Sequence, residues 1–271
     1  MLADVDAEFH LSRARMALRN AVAVVPNPGA HGLAAGAIAL RARDERADDA
    51  VLLPADPFAP GAPLPVGPVA LLDWGMRALD RPALIVDHDL PEAAPREDQV
   101  FVSGFGEVPP IPSAALMRRI EGEAPLWLAE VGIAADIGAE HVSEEARQLA
   151  ALVDAPRRVP DGPVRLALEL LTESEDADAA LGDARIAALH EARRDWKAAL
   201  EVVMRAEPVD AGDLSVVSFQ SAYLLEDVVA RVWALRLPAL RVVAVRNGTH
   251  VGGAAHLPPE RLAGLLQRIA R

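Results

Sequence analysis

Four short apolar runs, each stopped by a loop-forming or polar residue, constrain this chain most: AVAVV at 21–25, VALL at 69–72, ALIV at 83–86 and VFV at 100–102. None alternates apolar with polar residues, so each reads as a strand buried on both faces, the kind that builds a parallel sheet covered on each side. Residues 50–53 (AVLL) form a similar run ahead of the Pro-rich segment 54–68. Between the runs, residues 4–19 place Val5, Phe9, Leu11, Ala14 and Leu18 near helical spacing. Residues 32–43 (GLAAGAIALRAR) read as a helix that packs closely through small side chains, and Asp73 is expected to lead into a short helix. Strand, loop and helix recurring in this order predict an α/β protein with a mostly parallel N-terminal sheet flanked by helices.

The rest of the chain changes character twice. Residues 112–153 read as helices, a break follows at 155–163 (APRRVPDGP), and 164–205 are strongly helical with a charge-laced end. From residue 206 the pattern is strand (216–219), helix (223–235), strand (241–245), an Asn247-Gly248 turn, a further run at 251–255 and a closing helix at 259–270. The expected division is a domain at 1–155, a helical spacer at 156–205 and a smaller C-terminal α/β domain at 206–271. Charge divides in the same place. Residues 206–271 hold seven Arg against six acidic residues, so the whole excess behind the net −13 lies in 1–205.

Composition excludes several chemistries. The chain has no cysteine, hence no thiol nucleophile and no thiolate zinc site. Its only lysine is Lys197, so the Gly-Lys pair of a Walker-type phosphate loop is absent. The acidic balance argues against tight, non-specific binding of a nucleic-acid backbone. The N-terminus (MLADVD) lacks the pattern of a signal peptide, and no run approaches the ~18 apolar residues of a membrane span. A cytoplasmic protein with no membrane association is expected.

Ligand sites of parallel α/β sheets lie outside the carboxyl ends of the strands. The polar residues there are Asn27, His31, Asp73, Asp87, His88 and Asp89. Asp87-His88-Asp89 is the most informative: carboxylate beside imidazole at a strand end suits a divalent ion such as Mn²⁺. Short polar residues after a strand also cap turns and helices, and each position taken singly fits that role too. Asp136, after the apolar stretch from Leu126, is a weaker candidate. In the C-terminal part, Gly252-Gly253 reads equally as a substrate-contacting segment or as a close-packed strand.

The order of these motifs resembles the DHH phosphoesterase superfamily, which includes RecJ-like exonucleases, oligoribonucleases and manganese pyrophosphatases. VVPNPGAHGLAAGAI at 24–38 is similar to the first motif, LLDWG at 71–75 to the second, IVDHDLP at 85–91 to the namesake segment and VGIAAD at 131–136 to the fourth. VGGAAH at 251–256 is similar to part of the DHH-associated substrate-binding domain. The resemblance implies a DHH-like fold and a metal-dependent hydrolase of phosphodiester bonds in short oligonucleotides or nucleotides, with Mn²⁺ or Mg²⁺ as cofactor.

Carried over residue by residue, the resemblance implies metal ligands at His31, Asp73, His88 and Asp136, with Asp73, His88 and Asp136 catalytic. It implies substrate contacts at Asp89, Arg246, Gly252, Gly253 and His256. Val25 and Gly29 stand where the family has the histidine and first aspartate of its first motif, so at most one ion is expected. Asp89 stands where relatives carry the second namesake histidine, an anion where phosphate should bind. The alternative is therefore a catalytically inactive DHH-fold scaffold or nucleic-acid-associated interaction protein. Partners consistent with the two readings are a short nucleic acid or nucleotide, a second copy of the chain, or another protein.

Overall fold

The runs of Val, Leu, Ile and Ala become strands because each carries apolar side chains on both sides of its backbone. The computed structural model describes residues 2–253 except 55, 60, 137–141, 211–213 and 238–240; side chains of 2–7, 136 and 210 lie outside that description. Helix α1 (Leu2–Asn20) precedes β1 (Ala23–Pro26) and α2 (Ala30–Ala42). A 3-10 turn (Ala47–Asp49) then leads to β2 (Val69–Leu72), β3 (Ala83–Asp87) and β4 (Gln99–Ser103). The four strands lie in the order β1-β2-β3-β4 and all pair in parallel, with Val25 opposite Leu71, Leu71 opposite Ile85 and Asp87 opposite Ser103.

Side chains alternate between the two faces of this sheet. Val24, Ala70, Leu72, Leu84 and Val86 enter a large cluster with Leu33 and Ile38 of α2 and with residues of the later helices. Ala23, Val25, Val69, Leu71, Ala83 and Ile85 enter a second cluster with Leu53, Met76, Phe58, Leu64 and Trp74, none of them helical. Helices cover one face, and the Pro-rich segment covers the other.

Two expectations are corrected here. Residues 50–53 form no strand: they make a single backbone hydrogen bond to β1, Val51 N–H to Val24 O at 2.9 Å, before proline carries the chain over the sheet. Arg77 fastens that cover, pairing with both Asp56 oxygens at 2.7 and 2.8 Å while its guanidinium lies 4.5 Å from the Phe58 ring centre. No helix follows Asp73 either. Asp73 (φ 67°) and Gly75 (φ 79°) take left-handed backbone conformations, which a right-handed helix excludes.

Helices α3 (Ser113–Glu121), α4 (Leu126–Asp136), α5 (Glu144–Val153), α6 (Val164–Glu173), α7 (Ala177–Gly182) and α8 (Ile186–Val203) follow. The chain then forms β5 (Val209–Asp210), β6 (Leu214–Phe219), α9 (Glu226–Arg236), β7 (Arg241–Arg246) and β8 (His250–Gly252). These strands make a mixed sheet in the order β5-β6-β7-β8, with β6 and β7 parallel and both outer pairs antiparallel. Asn247 (φ 54°) and Gly248 (φ 74°) supply the two positive φ angles of the hairpin between β7 and β8.

Two units result: residues 1–154 with 163–189, and residues 155–162 with 190–271, the division falling within α8. Residues 156–205, expected as a spacer, are thus shared between the units. The end of the 251–255 run, His256 and the closing helix expected at 259–270 lie outside the described residues. Among the described residues, no helix is long and apolar enough to cross a membrane.

Candidate metal centre

Three chain segments converge at the carboxyl edge of the parallel sheet. After β1, the Asn27 N–H donates to Leu72 O and its Oδ1 accepts the Gly29 N–H, both at 2.9 Å, which turns the chain into α2. Gly32 lets that turn close: a Cβ there would stand 2.4 Å from the Asn27 carbonyl oxygen. The first turn of α2 is pinned to the end of β1, and His31 lies on it. After β2, the Asp73 N–H donates to Val86 O at 2.9 Å, so the left-handed Asp73 stays against β3. His88 directly follows β3.

Asp73 is the hub. Its Oδ2 lies 3.4 Å from His31 Nδ1 and its Oδ1 3.5 Å from His88 Nδ1, and the carboxylate is only 9% exposed. The two imidazole rings stand 6.0 Å apart, tilted by 47°. Burial pushes the Asp73 carboxyl up, but hydrogen bonding to His31 and His88 and their charge outweigh it and hold the group well below the usual carboxylate range.

Two further buried polar groups support the hub. Ser113, at the start of α3 and fully buried, donates its hydroxyl to Asp73 Oδ1 at 2.8 Å and lies 3.3 Å from His88 Nδ1. Asp87, 1% exposed, accepts the N–H groups of Gly75 (2.6 Å) and Asp89 (2.7 Å). Burial raises the Asp87 carboxyl, the charge of Asp73 raises it further, and the two N–H donors offset part of that. Sequence reasoning missed Ser113 altogether and reads Asp87 as part of a metal-binding triplet, whereas its carboxylate accepts two backbone N–H groups.

The donor set fits one divalent ion. One ligating atom each from His31, Asp73 and His88 lie within 4.8 Å of one another. Donors at about 2.0–2.1 Å from a single ion are spaced roughly 3.0–3.4 Å apart, close to the His31–Asp73 separation. Two imidazoles and a carboxylate suit Mn²⁺, Fe²⁺ or Zn²⁺ better than Mg²⁺, which prefers an all-oxygen shell. The Ser-His-Asp composition is not a nucleophilic triad. Ser113 is fully buried and its proton goes to the carboxylate rather than to an imidazole.

The other expected residues are distributed as follows. Asp136 ends α4, whose Gly132 packs closely enough that a Cβ would stand 3.8 Å from the His31 Cα; the Asp136 side chain is outside the described residues. Asp89 is exposed, in the loop after β3. Val25 is core and Gly29 is the residue before α2. In the second unit, Arg246 is buried and pairs with Glu226, Nε to Oε2 at 2.7 Å. A Cβ at Gly252 would stand 2.4 Å from the Glu226 backbone, and one at Gly253 would stand 2.6 Å from Ala230 Cβ. Both glycines therefore let β8 lie against α9.

A parallel α/β sheet with a His-Asp-His cluster at its carboxyl edge defines a class, and the chain has the fold of the DHH superfamily. It is similar to a crystal structure of exonuclease RecJ bound to manganese, with a TM-score of 0.59 and 17% identity over 88% of this chain and 80% of that one. RecJ of Thermus thermophilus in complex with Mn²⁺ gives a TM-score of 0.60 and 18% identity over 88% of this chain; the match spans only 46% of that protein's chain. The DHH domain of a member of a family of ribosomal proteins gives 0.57 and 13% over 89% of this chain and 77% of that one. No family model matches the chain, and no curated protein does.

Proposed function

We propose that this protein is a metal-dependent phosphoesterase that hydrolyses phosphodiester bonds in short oligonucleotides or nucleotides at a single-metal centre. The observation that carries the proposal is the convergence of His31, Asp73 and His88 at the ligand-binding edge of a DHH fold. Those three residues would hold the ion, with Asp136 as the fourth ligand. A bound divalent ion supplies a water that ionises near neutral pH and offsets charge on the phosphoryl oxygens. Asp73, with its depressed pKa, is ionised at neutral pH and ligates without first losing a proton. Ser113 holds Asp73 and lies beside His88, and Asp87 ties together the loops that carry those two residues.

Two observations favour the second reading, an inactive DHH-fold scaffold or nucleic-acid-associated module. Asp89 places an exposed carboxylate one residue from a ligand, where it repels a phosphate. Arg246, the expected phosphate contact, is paired with Glu226 instead.

Elemental analysis after Mn²⁺ loading, paired with hydrolysis of a dinucleotide, separates the readings. The enzyme reading expects about one ion in the parent, its loss in Asp73→Ala/His88→Ala, and Mn²⁺-dependent hydrolysis. One ion without hydrolysis establishes the scaffold. No ion, with a melting temperature that Mn²⁺ does not move, removes the metal centre. Hydrolysis that survives Asp136→Ala removes Asp136 from the ligand set.

A further inference from the structure

We infer that Leu90, Phe105 and Val108 form a platform beside the candidate centre on which a nucleobase of the substrate stacks. The inference rests on the phosphoesterase reading above and names what would hold the part of the substrate next to the scissile phosphate. Strands β3 and β4 are neighbours and run parallel, with Asp87 opposite Ser103, so the loops that leave them emerge side by side at the carboxyl edge. The first loop carries His88 and then Leu90, and the second carries Phe105 and Val108. These three apolar side chains are 65%, 50% and 97% exposed. Single exposed apolar residues are ordinary on a protein surface, but three on two adjacent loops at the ligand-binding edge of the sheet call for an occupant.

Both loops are anchored at the centre itself. Leu90 lies between two ties, the Asp89 N–H to Asp87 Oδ1 at 2.7 Å and the Glu92 N–H to Met76 O at 2.9 Å. The loop that carries Phe105 starts where the Gly104 N–H donates to Asp87 O at 2.9 Å, and the Ile111 N–H donates to Gly104 O at 3.3 Å, pinching residues 105–110 at their base. A Cβ on Gly104 would collide with the Ile111 carbonyl oxygen, so glycine lets the pinch close. Two residues past Ile111, Ser113 donates to Asp73. Pro109, Pro110 and Pro112 restrict the backbone in between. An apolar surface already fixed in this way loses little freedom when it is covered.

Charge selects the occupant. Residues 88–94 and 103–111 contain no arginine or lysine, while Asp89, Glu92 and Glu107 are exposed. These carboxylates repel a phosphate, but they accept N–H groups of a base. A base is the flat, uncharged part of a nucleotide, and stacking on an aromatic ring suits it. Asp89, unfavourable where a phosphate is to bind, is compatible with a base beside Leu90.

The test follows leucine and valine methyl resonances of the full chain, kept metal-free with a chelator, as the dinucleotide adenylyl-adenosine is added. The signals are assigned through Leu90→Met and Val108→Thr. A stacked adenine is expected to shift the Leu90 or Val108 methyl groups upfield by its ring current, while ribose 5-phosphate, which has no base, leaves them in place. Phe105→Ala is expected to weaken this binding about tenfold or more, Phe105→Trp to retain it, and Phe9→Ala, which removes an exposed phenyl from α1, to change nothing. Unmoved methyl groups in the parent overturn the inference even if Phe105→Ala fails to fold. An equal response to ribose 5-phosphate, unchanged affinity in a folded Phe105→Ala, or shifts that follow protein concentration instead of ligand, as a contact between copies would give, overturn it too. Mn²⁺-dependent hydrolysis without the methyl shifts keeps the phosphoesterase and removes the platform. The shifts without hydrolysis keep the platform and remove the enzyme.

Discussion

Asp87 Oδ2 accepts the backbone N–H of Gly75 at 2.6 Å, across the gap between two strand ends. Its other oxygen accepts the Asp89 N–H at 2.7 Å, so one buried carboxylate ties the loop that begins at Asp73 to the loop that begins at His88. Asp87→Asn retains the shape but turns one of the two acceptors into a donor facing an N–H. A buried donor without an acceptor costs about 1–3 kcal/mol, which urea unfolding would measure as a lower midpoint at an unchanged slope. Weaker Mn²⁺ binding is expected to accompany it, because both loops that carry the proposed ligands lose their tie.

Asp73 and Asp87 also predict opposite pH dependences from adjacent positions. Asp73 is depressed on folding, so its contribution is fully present above the unfolded carboxylate pKa near 4 and is lost as pH falls toward the folded value. Asp87 is raised, so its contribution is present below that unfolded pKa and is lost as pH rises through the folded value. Thermal melts from pH 3 to 7 are expected to show less acid destabilisation in Asp73→Asn than in the parent. They are expected to show a smaller loss of stability with rising pH in Asp87→Asn. Parallel curves for all three proteins would show that neither group is perturbed.

What the sequence disclosed follows from the range over which each interaction acts. Buried parallel strands are written locally, as unbroken apolar runs, so the sheet and the residues at its carboxyl edge were legible, His31, Asp73 and His88 among them. Residues 50–53 have the same composition, yet they lie beyond the edge strand β1 and leave it after one hydrogen bond, at a proline. The expected helix after Asp73 failed because two consecutive tight demands, an N–H bonded back to Val86 and a carboxylate aimed at two imidazoles, hold Asp73 at positive φ. Ser113 lies forty residues from Asp73, and a serine opening a helix looks like any other start signal. The partner of Arg246 was hidden for the same reason, since Glu226 lies on the neighbouring helix.

Gly32 provides a prediction in which two effects compete. Replacing a helical glycine by alanine gains about 1 kcal/mol of helix propensity. Against it, the new Cβ would stand 2.4 Å from Asn27 O, 2.6 Å from Asn27 Cβ and 2.8 Å from Asn27 N, mostly backbone that cannot swing aside. Overpacking of this kind costs about 1–3 kcal/mol, so Gly32→Ala is expected to destabilise on balance and to displace His31, weakening Mn²⁺ binding. Gly182→Ala is the control: no atom lies within 4 Å of its Cβ position, and chemical denaturation is expected to find it neutral or slightly stabilised.

The Arg246–Glu226 pair sets a prediction for the second unit. The side chains are 6% and 15% exposed, with a second contact from the guanidinium to Oε1 at 3.3 Å. Burial pushes the Glu226 carboxyl up, but the hydrogen bond and charge of Arg246, joined by the Glu226 backbone N–H and the charge of His250, together hold it below its usual value. Removing one partner strands the other, at a cost of about 3–5 kcal/mol. Glu226→Gln and Arg246→Met are each expected to lower the unfolding midpoint, while the double variant loses less than the sum, giving a coupling that a double-mutant cycle measures directly. A coupling near zero would mean the pair is dispensable and Arg246 is available to a substrate phosphate. A large one means that any such contact must first break this pair, so that phosphate binding would have to exceed the coupling before Arg246 could take part.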